Sequence, residues 1–358
     1  MTKPRVAILV GTKKGLHVFR SSASRSRWAH EGPYFAPQPV YHASFDPRDG
    51  ESVYAAVNAT FGGPRIEVSR DLGRTWTTAA NPAFPAGSDL TFKRTWHLEP
   101  GHASQPNVLW AGVEPAALFR SDDRGISWQP VRAINEHAER PHWSPGGGGL
   151  CLHSVGIDAA DPGWMTVGIS AAGVYETRDG GKSWTNGNAG TRSPLPRGES
   201  LLGRCVHHLV AHPTRSGVRF QQNHTGVYWR DGTATRWTDR SAGLPSDYGF
   251  AAAIHPHDDA TAYVVPLHDR LRQAPPPGIA VYRTRDRGAS WKRLASGLPR
   301  GAQLEVMRES MAADRLDPAG IYFGTTNGEV WASADEGRSF SQVAAYLPAV
   351  LSVSTITS

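Results

Sequence analysis

Histidine is the side chain best able to bind a transition metal or to move a proton near neutral pH. This chain sets histidines at the ends of similar strand-like segments: VYH to His42, TWH to His97, CLH to His153, and CVHH to His207 and His208. Segments of one repeat that converge on an axis would bring such residues together. The expectation is one divalent transition metal (Zn, Fe or Mn) held by His42, His97, His153, His207 and His208, with Glu114 as carboxylate ligand or base. A metal-free His/Arg/Glu pocket and purely structural histidines are the alternatives. GLCLH (149–153) and GRCVH (203–207) match in register, whereas His42 and His97 are offset from His153 by one or two residues. On a strand a one-residue slip turns a side chain to the other face. Cys151 and Cys205, at equivalent places, read as core residues.

Other groups of chemical interest fall near the same segments. Glu114 or His224 would act as general base, and Arg308 or Arg94 would orient an anionic substrate group. Tyr41, Trp96, Arg204, Asn223, His268 and Arg270 are candidate substrate contacts, and Arg270 with Arg272 could clamp an anion. His102, His212, His255 and His257 belong to turns on the opposite face, where a solvated position is expected. His17 is an ordinary strand residue.

The elements that must position these residues are declared by a repeat. SRDLGRTW (69–76), SDDRGISW (121–128), TRDGGKSW (177–184), TRDRGASW (284–291) and SADEGRSF (333–340) are copies of one octapeptide, and WRDGTATRW (229–237) is a degenerate one. Its logic is that of a hairpin turn. Gly supplies positive φ, the Asp carboxylate accepts from turn N–H and hydroxyl groups, and the aromatic packs on the sheet. The pattern S/T-x-D-x-G-x-S/T-W is similar to the Asp-box of the BNR-repeat, sialidase-like β-propeller superfamily. That resemblance covers essentially the whole chain. It implies that the boxes are structural and lie on the face away from the active site.

Alternating segments such as VYAAVN and RIEVS precede each box, with a more apolar segment before them at 39–45, 93–99, 150–157, 204–211, 250–255 and 304–311. These read as the A, B and C strands of six blades, with D after the box. Residues 6–28 supply B, C and D of a seventh blade, and 349–358 supplies its A strand. The expectation is an all-β, seven-bladed β-propeller of four-stranded blades, closed by N- and C-terminal strands in one blade, as a single domain over 1–358. The Pro/Gly-rich insertions 79–92, 133–149, 187–203 and 266–278 should emerge on one face, at the mouth of the channel.

Composition narrows the class. A formal charge of +6 comes without a Lys/Arg run, so no nucleic-acid partner is expected. Two cysteines exclude a disulfide framework, and nothing resembles a signal peptide or a membrane span, so a cytoplasmic protein is expected. Three functions fit. The first is a small-molecule enzyme, a hydrolase or lyase, acting on an anionic substrate at the His-rich mouth. The second is a BNR-type glycoside hydrolase using Glu114 with Asp247 or Glu305. The third is a non-catalytic scaffold for protein interaction. A sialidase in the strict sense would need an arginine triad, for which Arg65, Arg204 and Arg308 are the nearest residues, and a Tyr–Glu pair that the chain lacks.

Overall fold

The computed structural model describes residues 6–59, 62–193 and 204–357, so Phe61, Gly203 and most of the expected 187–203 insertion lie outside the described residues. Seven four-stranded antiparallel sheets stand around a central channel. Blade 1 runs Val40–Phe45, Val53–Ala59, Gly63–Ser69 and Thr77–Ala79. The inner (A) strands of blades 2 to 6 are Arg94–Pro100, Cys151–Ile157, Val206–Ala211, Gly249–Ile254 and Met311–Ala313. Blade 7 is closed as expected: Val350–Thr357 pairs with Val6–Thr12, which pairs with Gly15–Ser21 and then Ala29–Tyr34. Val10 lies between Val353 and His17, so the N-terminal strand is paired on both sides. Among the described residues no helix is long and apolar enough to cross a membrane.

Blades pack face to face, so a B strand is covered on both sides. Residues 8–10 of the run VAILV are fully buried, with no alternation. The octapeptides seal the outer turns. In the copy at 284–291 the Asp286 carboxylate accepts from the Ser290 amide (2.8 Å), the Ser290 hydroxyl (2.6 Å) and the Thr284 hydroxyl (2.7 Å). These hydroxyl and amide donors hold its pKa below the usual carboxylate value. Positive φ falls on two successive residues, Arg287 (56°) and Gly288 (82°), rather than on glycine alone.

The inner strands share one irregularity that decides the site. Pairing slips between Val40 and His42, Thr95 and His97, Leu152 and Ser154, and Val206 and His208. A bulge therefore extrudes Tyr41, Trp96, His153 and His207, and makes His42, His97, Ser154 and His208 equivalent. Cross-blade bonds confirm the equivalence. Leu98 N–H donates to His42 Nδ1 (3.1 Å), and Leu209 N–H to Ser154 Oγ (3.2 Å).

Candidate active site in the central channel

The offset between the histidines sorts them into two sets. His153 and His207, on the bulged positions, are spent on packing between blades. His153 Nε2 bonds the Val206 carbonyl (3.1 Å) and His207 Nδ1 the Gly249 carbonyl (2.6 Å). Burial holds both imidazoles well below the usual histidine pKa. The expectation that they join His42, His97 and His208 around one metal is corrected, because the bulge turns them out of the channel.

The other set converges on a residue absent from the sequence-based list. Glu309 precedes the short inner strand of blade 6, where 304–311 was expected to form a full strand, and bridges Ser352 of blade 7. Its Oε2 lies 3.6 Å from His42 Nε2, 3.6 Å from His97 Nδ1 and 3.8 Å from His208 Nε2. Histidines of blades 1, 2 and 4 thus meet a carboxylate from blade 6, and together they bar the channel. Burial opposes ionisation of Glu309, but His208, His97 and His42 hold its carboxyl well below the usual range. His42 is pushed down to about 3 by burial and by the His97 charge. Burial also opposes charge on His97, yet Glu309 on one nitrogen and Glu99 on the other (Nε2 to Oε2, 3.1 Å) raise it to about 10.

Below this bar a cavity of about 510 Å³ opens between the A–B turns, lined by His42, His97, Glu99, His208, Arg48 and His102. This cavity therefore faces the octapeptide side, not the side of the long insertions. Two turn histidines expected to be solvated are buried, because His212 Nδ1 and His255 Nδ1 accept backbone N–H bonds that tie their turns.

Above the bar lies the mouth predicted from the insertions, and there several candidates do meet. Trp96 donates its indole N–H to Glu114 Oε2 (3.0 Å) and packs edge-on against Tyr41 (5.0 Å between centroids). Arg94 stands 3.3 Å from the same oxygen, bonds the Tyr41 hydroxyl (2.5 Å) and covers both rings. Arg308 lies over Trp96 (5.5 Å) and donates to Cys151 Sγ (3.6 Å). It is 8% exposed and, among the described residues, pairs with no carboxylate. On the far side His207 packs edge-on against Tyr248 and His224 and tilted against Phe250, and Arg272 covers Phe250. Glu305, on the same face, is raised above the usual carboxyl value by burial, against the pull of the Thr326 hydroxyl and Arg272.

A glycine strap lies over this mouth. Gly146 to Gly149 form a turn closed by Gly149 N–H to the Gly146 carbonyl (3.0 Å). A Cβ on Gly149 would sit 2.8 Å from Glu114 Oε1, and one on Gly147 3.2 Å from an Arg272 nitrogen. Only residues without side chains pass so close to these charges.

The remaining candidates are placed elsewhere. His224 and His268 line a side cavity of about 510 Å³ with Arg192, Asp247, Tyr248 and Asp269. Arg270 is exposed in the same loop. Asn223 is fully buried in its strand, and Arg204 is buried with its Nε unpartnered. Arg65 is bonded to Glu67 (2.7 Å) on an outer strand. Arg65, Arg204 and Arg308 stand on blades 1, 4 and 6.

No protein-family model matches the chain. A "Probable oligoxyloglucan-reducing end-specific xyloglucanase" of Neosartorya fischeri is 26% identical over 285 residues, 70% of this chain and 33% of that protein. The GH74 xyloglucanase from Xanthomonas campestris superposes with a TM-score of 0.64 at 19% identity, over 94% of this chain and 51% of that one. The fold is shared. YCF48 from Cyanidioschyzon merolae superposes with a TM-score of 0.53 at 14% identity, over 92% of this chain and 96% of that one. This chain thus spans about a third of the curated relative and half of the solved xyloglucanase.

Proposed function

We propose that this chain is a glycoside hydrolase of the Asp-box propeller type, acting on a saccharide at the upper mouth of the channel. The observation that carries the reading is two carboxyl groups on one aromatic-lined face, Glu305 raised above the usual carboxyl value by burial and Glu114 bonded by Trp96 and ion-paired with Arg94. Glu305 is kept protonated to higher pH by burial, as a general acid must be. Glu114, ion-paired with Lys93 and Arg94 and bonded by the Trp96 indole, is the candidate base or nucleophile. Trp96 and Tyr41, both part-exposed, supply aromatic surface of the kind against which sugars pack. The names of the relatives support the same reaction class, and the substrate proposed first is a xyloglucan-derived oligosaccharide.

A hydrolase or lyase acting on another small molecule has less support, since no observation singles out a substrate for it. The test is incubation of the full chain with xyloglucan, its oligosaccharides and neutral β-glucan controls, followed by measurement of new reducing ends. Release from the xyloglucan series above the controls supports the reading. Absence of turnover on every glycan across pH 4 to 8 would overturn it.

A further inference from the structure

We propose that the bar across the channel is a site for one first-row divalent transition metal, held by His97 and Glu309 with His42 and His208 beside them, and open to the lower cavity. The site is separate from the upper mouth and does not depend on the glycosidase reading.

The argument begins with distances. Three imidazole nitrogens lie 3.6, 3.6 and 3.8 Å from the one Glu309 oxygen. An N–H···O bond spans about 2.7–3.2 Å, so none of these contacts is a formed hydrogen bond. Two ligands about 2.0–2.2 Å from one ion in a tetrahedral shell stand roughly 3.4 Å apart, close to the spacing seen. One of the facing atoms is also unsatisfied. His97 Nδ1, 3.6 Å from Glu309 Oε2, finds no hydrogen-bond partner. An atom so deeply buried normally has one, and its lack points to something seated between it and Glu309.

The surroundings suit a cation. His97 Nε2 meets the Glu99 carboxylate at 3.1 Å, leaving Nδ1 directed at Glu309; this is the outer carboxylate–imidazole pairing that orients metal-binding histidines. Glu309 and Glu99 together balance a divalent charge. Imidazole with one carboxylate selects Zn, Fe(II) or Mn(II) over Ca or Mg, which take oxygen shells. His42 takes a supporting place. Its Nδ1 accepts the Leu98 N–H (3.1 Å), so its proton sits on Nε2 and is aimed at the Glu309 carboxylate. The lower cavity, lined by His42, His97 and His208, leaves open positions for water or a ligand. A second convergence, Cys205 with His207 and His224, lies near Arg272 and Arg308, whose charges oppose a cation there.

The test is elemental analysis of the full chain, stripped with chelator and then refilled separately with Zn, Mn(II) and Fe(II). The Co(II) form is examined by visible absorption for bands of a nitrogen-ligated ion. About one ion per chain is expected, with Co(II) bands that shift in His208→Gln. Loss of at least 10-fold in affinity is expected in Glu309→Gln, and a weakening on the order of 10- to 100-fold in the outer variant Glu99→Gln. Thr78→Ala, on the outer strand Thr77–Ala79 of blade 1, should retain the ion. A wild-type chain that stays metal-free after refilling and gives only the Co(II) spectrum of the free aqueous ion overturns the proposal. So does full metal occupancy in folded Glu309→Gln and His97→Gln. Wild-type spectroscopy decides the matter even where a variant fails to fold.

Discussion

At the scale of single residues, a one-position offset separates structural histidines from channel histidines. His153 and His207 look alike in sequence and are alike in structure, since both occupy the bulge and bond a neighbouring blade's carbonyl. His42, His97 and His208 sit one position later and face Glu309. The offset was legible in the segments VYH, TWH and CLH, but a bulge shared by several blades has no side-chain signature. Glu309 was not legible by alignment, because Ala313 pairs with Ile321 as Pro100 pairs with Leu109, which puts Ser310 at the place of His97 and Glu309 at that of Trp96. Blade 6 carries no histidine at either place, so nothing in the sequence marked Glu309 as a channel residue. In the upper mouth, Trp96→Ala should raise KM for an oligosaccharide about 10-fold or more with a smaller effect on kcat, measurable by steady-state kinetics, if the ring is a stacking platform. Glu305 adds a pH signature. Its raised pKa means that the acid form persists to higher pH than for an ordinary glutamate. Activity should be full on the acid side and fall as pH rises through that pKa, and a pH–rate profile of Glu305→Gln should lack this alkaline limb.

At the scale of elements, the octapeptides were read correctly from residue types, because hydroxyl, carboxylate and glycine bond within one turn. Asp71 shows the pattern. It accepts from Ser69 Oγ (2.7 Å), Thr75 Oγ1 (2.7 Å) and the Thr75 amide (2.8 Å). Asp71→Ala strips these partners from a part-buried turn and should cost about 1–2 kcal/mol, read by denaturant titration. The same loss at the degenerate copy should be smaller, since Asp231 is bonded chiefly to the Arg287 guanidinium (2.7 Å), with its side chain near half exposure. Less legible was the inner strand of blade 6. The apolar run from Leu304 read as a strand through 311, but a turn closed by Ser310 N–H to the Met307 carbonyl (3.0 Å) restricts regular pairing to Met311–Ala313. That turn is what frees Glu309 to reach the axis.

At the scale of the whole molecule, ring closure and buried neutral histidines set the stability. The seventh blade was legible because 6–28 lacked an A strand and 349–358 was a strand without a blade. A chain ending at Ala349 removes the partner of Val6–Thr12 over its whole length. It should fail to give a soluble, cooperatively melting protein, as size-exclusion chromatography and calorimetry would show. Acid sensitivity follows from burial. His17 is lowered to about 4, mainly by burial and then by His30, and His153 is lowered by burial and by Arg308. A histidine kept neutral in the fold contributes stability that is present above its unfolded pKa and lost as pH falls toward the folded one. For His17 that window runs from about 6.5 down to about 4, worth up to about 3 kcal/mol. His17→Gln should reduce that slope in urea titrations at successive pH values. The lower cavity was less legible, because long insertions marked the upper mouth while nothing marked the void lined by small residues such as Ala43, Gly156, Ala252 and Ala312 on the lower side.

The most direct measurement of the central claim is hydrolysis of a xyloglucan oligosaccharide by wild type, Glu305→Gln and Glu114→Gln, with folding of each verified by circular dichroism. The account predicts turnover by wild type and a fall in kcat of about 10²- to 10⁴-fold in each variant. Equal turnover in wild type and both folded variants, or none in wild type, would contradict it.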